Sequence, residues 1–216
     1  MEPGTFNEIE LIVHPGYHII DRFVKKVDAA RKENYGEFRE IKLSRAEIEF
    51  LKKRFAEYGR RILEAEKNPN RMVIVIKPSD MPDTFEELSG NIDPKIRQGT
   101  KMVMRQLKRF SDFAKKRLEG RFFEIDWKIK KEDAFAIAPL LSKNVKIYAS
   151  GEYKNDCVTE GAQTLEIFLR AKGKKPQIVW REGRVTKNSA IPSASQRRKL
   201  QEEKKRRKLA ERKRRL

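Results

Sequence analysis

Four short runs of almost unbroken apolar character constrain the fold of this chain more than anything else in it: IELIV at 9–13, MVIVI at 72–76, VKIYA at 145–149 and QIVW at 177–180. A strand with one wet face alternates polar and apolar residues, so runs without that alternation describe strands buried on both faces, as parallel strands covered by helices are. A fifth run, RFFEIDW at 121–127, also reads as a strand, without that continuity. Long amphipathic stretches separate the five, the pattern of a sheet covered by helices. The expectation is an α/β domain over residues 1–188: a mainly parallel sheet of about five strands flanked by helices on both faces, followed by a basic helical C-terminal extension.

The clearest helix begins at SRAE, where Ser44 can accept from the Glu47 amide while the Glu47 carboxylate reaches back, a capping box. Ile48, Leu51, Phe55, Tyr58 and Ile62 follow at spacings of three and four on one stripe, which faces the sheet or forms an intermolecular seam. A second helix at about 101–119 turns Val103, Leu107, Phe110, Ala114 and Leu118 inward, and Gly120 is placed to end it in a left-handed turn. Its outer face carries Lys101, Arg105, Lys108, Arg109, Lys115, Lys116 and Arg117, either a solvated face or one that meets phosphate. Further helices are expected at about 19–32, 131–141 and 156–170. Beyond Trp180, REGR is a turn, SAIPSAS at 189–195 suits a linker, and 196–216 is a basic arm.

Charge narrows the partners. There are 51 Lys and Arg against 32 Asp and Glu, a formal net charge of +19, and a field of that size attracts polyanions. The arm holds 12 basic and 3 acidic residues, leaving 39 against 29 in the rest, so both parts are basic. Lys and Glu interleave throughout a chain that is 38% charged and has one Cys, a balance often seen in proteins from hot environments. Written as a helix, the arm places Glu202, Glu203 and Glu211 four residues before Arg206, Arg207 and Arg215, the favourable order. It has no aromatic residue to anchor it in a membrane surface, and the chain shows no helix-turn-helix, zinc or ribbon module for reading DNA. Structured RNA, read by shape and phosphate contacts, is the expected partner, and basic segments fold as they bind it. The contacts would come from Arg197, Arg198, Lys199, Lys204, Lys205, Arg206, Arg207, Lys208, Arg212, Lys213, Arg214 and Arg215 in the arm, with Lys108, Arg109, Lys115 and Lys116 in the body. The blander alternative is nonspecific polyanion affinity or a nuclear-type basic signal.

Other classes lose support. One cysteine excludes an internal disulfide and a CxxC metal knuckle. MEPGTFNEIE lacks the basic and apolar regions of a secretory leader, and no apolar run approaches the roughly 20 residues that span a bilayer, so a cytosolic location without membrane attachment is expected. Neither GxxxxGK[ST] nor GxGxxG occurs, and no cofactor is expected. In an open parallel sheet, ligands bind beyond the carboxyl ends of the strands. The loops there, HPGY at 14–17, KPSD at 77–80 and SGEYKNDC at 150–157, bring His14, Asp80, Asp83, Glu152 and Cys157 to one edge. A His before Pro-Gly is most simply a turn residue. Asp80, Asp83 and Glu152 could instead hold magnesium, as in an RNA-processing nuclease.

At the third loop, VKIYASGEYKNDCVTEGAQTL resembles the strand, loop and helix of isochorismatase-like cysteine hydrolases, with Gly151 ending the strand, Cys157-Val158 opening the helix and Ala162 one turn on. The resemblance implies a thiolate nucleophile at Cys157, its pKa lowered at a helix amino terminus. That family also supplies an Asp at the end of the first strand as general base and a Lys from a middle strand. Here the first strand ends Val13-His14-Pro15-Gly16 with no Asp, and Lys77 is the nearest counterpart to the lysine, so the resemblance implies the architecture with its chemistry lost. In length, basic body and arm, the whole chain resembles the small ribosome-associated factors of thermophilic archaea, ribosome dimerization factors in particular. That likeness implies a homodimer bound to the small subunit and its ribosomal RNA and proteins, translation regulation by ribosome hibernation, and no catalysis.

Overall fold

Every one of the five apolar runs is a strand in the computed structural model, which describes residues 5–19, 43–78, 94–152 and 157–180, with the backbone alone over 94–104. In chain order the elements are β1 (Phe6–Val13), α1 (Arg45–Glu66), β2 (Arg71–Lys77), α2 (Pro94–Arg117), β3 (Phe122–Asp126), α3 (Lys131–Ile137), β4 (Leu141–Gly151), α4 (Thr159–Ala171) and β5 (Lys175–Trp180). The strands form one sheet in the order β3-β2-β1-β4-β5, and every pairing is parallel. β1 is therefore central, with Val13 opposite Ile76 of β2 on one side and Gly151 of β4 on the other.

The continuous apolar runs follow from this layering. Along β2, Met72, Ile74 and Ile76 join Ile9, Leu11, Val13, Ile147 and Ala149 in a core covered by Ala134 and Ile137 of α3 and by Ala162, Leu165 and Leu169 of α4. Val73 and Val75 face the other way, with Ile12, under α1 and α2. Each fully buried aliphatic side chain contributes about 1.5–3 kcal/mol. Both sides of the strand are dry, so neither carries a polar alternation. β3 lies at the sheet edge, and among its five residues only Ile125 is fully buried.

The capping box forms as the residues require: the Ser44 N–H donates to Glu47 Oε2 at 2.7 Å, and the Glu47 N–H donates to Ser44 Oγ at 3.3 Å. Leu51, Phe55, Tyr58 and Ile62 are buried against the sheet, as are Leu107, Phe110, Ala114 and Leu118 of the second helical stretch. Gly120 has φ 72°, the left-handed turn that frees the chain to enter β3. Just beyond it, Arg121 Nη1 donates to the carbonyls of Ala65 (3.1 Å), Asn68 (2.8 Å) and Arg71 (3.2 Å), closing the carboxyl end of α1.

Three boundaries differ markedly from expectation, the first being the start of α2 at Pro94 instead of about 101. The helix expected at 131–141 ends at Ile137 and tightens into the 3-10 turn Ala138–Leu140, because Pro139 has no N–H to continue an α-helical ladder. β4 accordingly starts earlier, at Leu141, and runs 11 residues. Of the helix expected at 19–32 only Ile19 is among the described residues, and the linker 189–195 and the arm 196–216 lie outside them. Among the described residues, no helix is long and apolar enough to cross a membrane.

Candidate functional site

The sheet reverses its winding between β1 and β4, and a parallel sheet opens a crevice at the carboxyl ends of its strands at that point. Gly151 makes the closure there possible. Its φ is 145°, and a Cβ on it would stand 2.1 Å from the Val13 carbonyl oxygen, so only glycine lets β4 approach β1 this closely. The Glu152 N–H then donates to Val13 O at 3.0 Å, and the His14 N–H donates to Ile76 O at 2.8 Å.

On the α4 face of this edge is a cleft of about 160 Å³. Val13 and Ile76 form its floor. One wall is His14 stacked on Trp127, with ring centroids 4.7 Å apart and planes 11° from parallel. A carbonyl can only accept, so the 2.9 Å contact from His14 Nε2 to Trp127 O places the proton on Nε2. Both residues have left-handed backbones, φ 48° and 49°, a conformation that costs energy in residues with a Cβ and that clusters at functional edges. The opposite wall is the start of α4, with Cys157, Glu160 and Thr164. Gly161 lets that helix sit low, since a Cβ there would already meet Ile76 Cδ1 at 3.2 Å.

The sequence candidates divide around this cleft. Cys157 lines it, half-buried, in a single widened turn that precedes α4. His14 lines it as a buried turn residue held by Trp127, in keeping with its Pro-Gly context. Lys77 does not line it, and its Nζ pairs with Asp126 Oδ1 at 3.0 Å. Asp80 and Asp83 lie outside the described residues. Glu152 is engaged by other groups on the far side of the sheet. Among the described residues, no group of three or more His, Cys, Asp or Glu could hold a metal ion.

That far side carries an ionic network which the apolar stripe of α1 concealed. Glu152 Oε1 accepts from Tyr58 Oη at 2.7 Å and Arg54 Nε at 3.3 Å, while Arg54 Nη2 donates to Tyr58 Oη (2.9 Å) and Gly151 O (3.2 Å). Arg54 Nη1 donates to Glu57 Oε2 at 2.9 Å, and Arg61 Nη2 to Glu57 Oε1 at 2.8 Å. Burial opposes the charge on Arg54, but Tyr58, Glu152 and Glu57 around it hold the guanidinium pKa above its ordinary value. Burial and then the Glu152 carboxylate push the Tyr58 phenol well above its usual range, so it remains a donor. The network fixes the β4 end of the crevice from behind.

Outside this layer the surface is strongly cationic. α2 holds nine Lys and Arg against one Asp, whereas α4 holds Glu160, Glu166 and Arg170, the last paired to Glu166 at 2.8 Å. Arg105, Lys108, Arg109 and Lys116 are exposed and have no ionic partner among the described residues. Lys115 differs: its Nζ is 2.5 Å from Glu124 Oε2, and that bond raises its pKa. Arg117 pairs with Glu66 at 3.2 Å. The twelve arm residues from Arg197 to Arg215 read as RNA contacts lie outside the described residues. No family model, curated protein or solved structure matches the chain.

Proposed function

We propose that this protein binds ribosomal RNA on the small ribosomal subunit, with the outward face of α2 and the arm 196–216 supplying phosphate contacts and the folded body supplying shape. In that role it keeps the large subunit away, as a hibernation factor does, and a homodimer would bring two small subunits together. The observation that carries the reading is the one-sided charge of the helices: the uncompensated Arg105, Lys108, Arg109 and Lys116 lie on one face of α2, whereas α3 and α4 in the opposite layer each hold more acids than bases. Such a face neutralises a polyanion and releases its counterions, which makes binding salt-sensitive. The test is sedimentation of small subunits with three proteins: the intact chain, the chain lacking 196–216, and the chain carrying Arg105→Glu with Arg109→Glu. The intact protein should co-sediment at moderate salt, and each variant should be released. Unchanged co-sedimentation of both variants would count decisively against the reading.

A second reading rests on the cleft. Cys157 and Glu160, one helical turn apart in sequence, both line the small pocket, which would suit a cysteine hydrolase with that carboxylate in place of the first-strand Asp. Such a thiol should react with iodoacetamide well below pH 8, and Cys157→Ala should abolish amide hydrolysis. Slow labelling together with no turnover would remove this reading.

A further inference from the structure

α1 adds a second line of cations beside the one on α2. Lys53, Arg60 and Lys67 recur every seven residues, so they follow one stripe for about 21 Å along α1 and the turn that ends it, opposite the stripe packed on the sheet. All three are exposed and, like Lys52, have no ionic partner among the described residues. Four acids of the same helix are engaged elsewhere: Glu47 in the cap, Glu49 with Arg45, Glu57 with Arg54 and Arg61, and Glu66 with Arg117. The fifth, Glu64, is exposed beside this line between Arg60 and Lys67. On α2, Arg105, Arg109 and Lys116 form a matching line about 16 Å long, interrupted by the exposed Asp112. The helices pack side by side through Phe55, Tyr58 and Phe110, so the two lines run about 10 Å apart.

Resting on the RNA-binding reading, we infer that this two-helix face docks on duplex RNA, the two lines of cations meeting the phosphates on either side of the minor groove. Three features select that partner. Among the described residues the face has no exposed ring on which an unpaired base could stack: Phe55, Tyr58 and Phe110 are buried, and Phe113 is half-buried with the Arg117 guanidinium 5.5 Å above it. Single-strand recognition depends on such platforms. Two helices side by side make a face about 20 Å wide, too broad for the major groove of B-DNA at about 12 Å. The A-form minor groove is wide and shallow, and a flat cationic face can lie across it, touching phosphates and 2′-hydroxyls.

The experiment uses the full chain and three probes of one sequence: a blunt RNA duplex of about 20 base pairs, its single strand, and the DNA duplex. Affinity is measured against salt concentration. The RNA duplex should be bound at least about fivefold more tightly than either alternative. Arg60→Gln with Lys67→Gln, and separately Arg105→Gln with Arg109→Gln, should each weaken duplex binding about tenfold near 0.1 M salt and lower the log–log salt slope by about 2. Asp112→Asn should strengthen binding. All the changed residues are exposed, and circular dichroism with a melting curve verifies that the variants remain folded. Preference for the single strand or for DNA, or an unchanged slope in both double variants, overturns the duplex assignment while leaving RNA binding through the arm in place. No binding to any RNA probe at low salt removes the RNA-binding reading, and this inference with it.

Discussion

Replacing Arg54 by methionine removes the cation of a pair whose side chains are 7% and 2% exposed, so its cost is set by what is left behind. Glu152 would keep one donor, the Tyr58 hydroxyl at 2.7 Å, and would lose the guanidinium at 3.3 Å. The Gly151 carbonyl would lose its 3.2 Å contact to the same group. Breaking a buried pair from one side costs about 3–5 kcal/mol, because the remaining charge has no solvent to replace its partner. At about 2–4 °C per kcal/mol for a chain of this size, the melting temperature should fall by roughly 6–20 °C. Glu152→Met, which strands Arg54 instead, should cost somewhat less, because Glu57 remains 2.9 Å from Nη1. The double variant Arg54→Met with Glu152→Met should be less destabilised than Arg54→Met alone, since replacing both charges by apolar chains of similar length is close to neutral. The losses left over are both partners of Tyr58 Oη and the Arg54 contacts of Gly151 O and of the half-buried Glu57 Oε2, about 1–3 kcal/mol at most for each buried group left unsatisfied. Urea titrations of the four proteins close the cycle. If the double variant costs the sum of the two singles, or if Arg54→Met costs under about 1 kcal/mol, the network does not act as a coupled buried unit and the argument fails.

Three further outcomes are expected. Gly151→Ala should cost at least about 2 kcal/mol in urea titration, because its Cβ would sit 2.1 Å from Val13 O at a φ of 145°; a wild-type midpoint would show that β1 and β4 can separate freely at the crevice. Gly59, inside α1, has open space where a Cβ would go, so Gly59→Ala should raise stability by about 0.5–1 kcal/mol, with a higher urea midpoint as the readout. Burial would raise the Glu124 carboxyl, but the Lys115 ammonium and the Ser111 hydroxyl outweigh it and hold the folded pKa below the ordinary 4.5. A lowered carboxyl stabilises the fold fully above its unfolded value and loses that contribution as the pH falls through the folded value. Lys115→Ala should therefore move the acid limb of the stability curve to higher pH, and an unmoved limb would show that the pair contributes nothing in solution.

The strands were legible because burial on both faces writes itself as an unbroken run, and the caps because a capping box and a terminal glycine act within four residues of chain. Strand order was not, since nothing in MVIVI or VKIYA says which of them neighbours IELIV; that depends on the direction in which each crossover helix returns. The Arg54 network was hidden for a related reason. Within α1, Arg54 stands beside the stripe of Leu51, Phe55, Tyr58 and Ile62 and reads as a residue of the polar flank. Its burial depends on Glu152, 98 residues away and delivered by a different strand. Glu152 was read as a candidate metal ligand for the same reason, because a carboxylate at a strand end looks available until its long-range partner is known. The cleft shows the opposite case: Cys157 was placed from its local strand, loop and helix order, whereas the His14 and Trp127 wall joins residues 113 apart.

Heat adaptation offers a competing account of so many charges, and the ion pairs separate the two explanations. Networks that resist heat join cations to acids, as Arg45–Glu49, Arg117–Glu66, Arg170–Glu166 and Lys115–Glu124 do here. With the cap at Glu47, the Arg54 and Arg61 bonds to Glu57 and the Lys77–Asp126 pair, they engage Glu47, Glu49, Glu57, Glu66, Glu124 and Asp126 and leave the cations of the α1 and α2 outer faces over. A residue of like charges destabilises the compact state by self-repulsion, so heat alone would select against it. An anionic partner reverses that sign, because each unmatched cation then gains a phosphate and the repulsion is relieved on binding. The cleft lies on the other face of the sheet, behind the α3 and α4 layer, so neutralising the cationic face should leave Cys157 and its surroundings unchanged. The two surfaces can thus be altered one at a time, and loss of ribosome binding with the cleft intact would assign the excess charge to RNA.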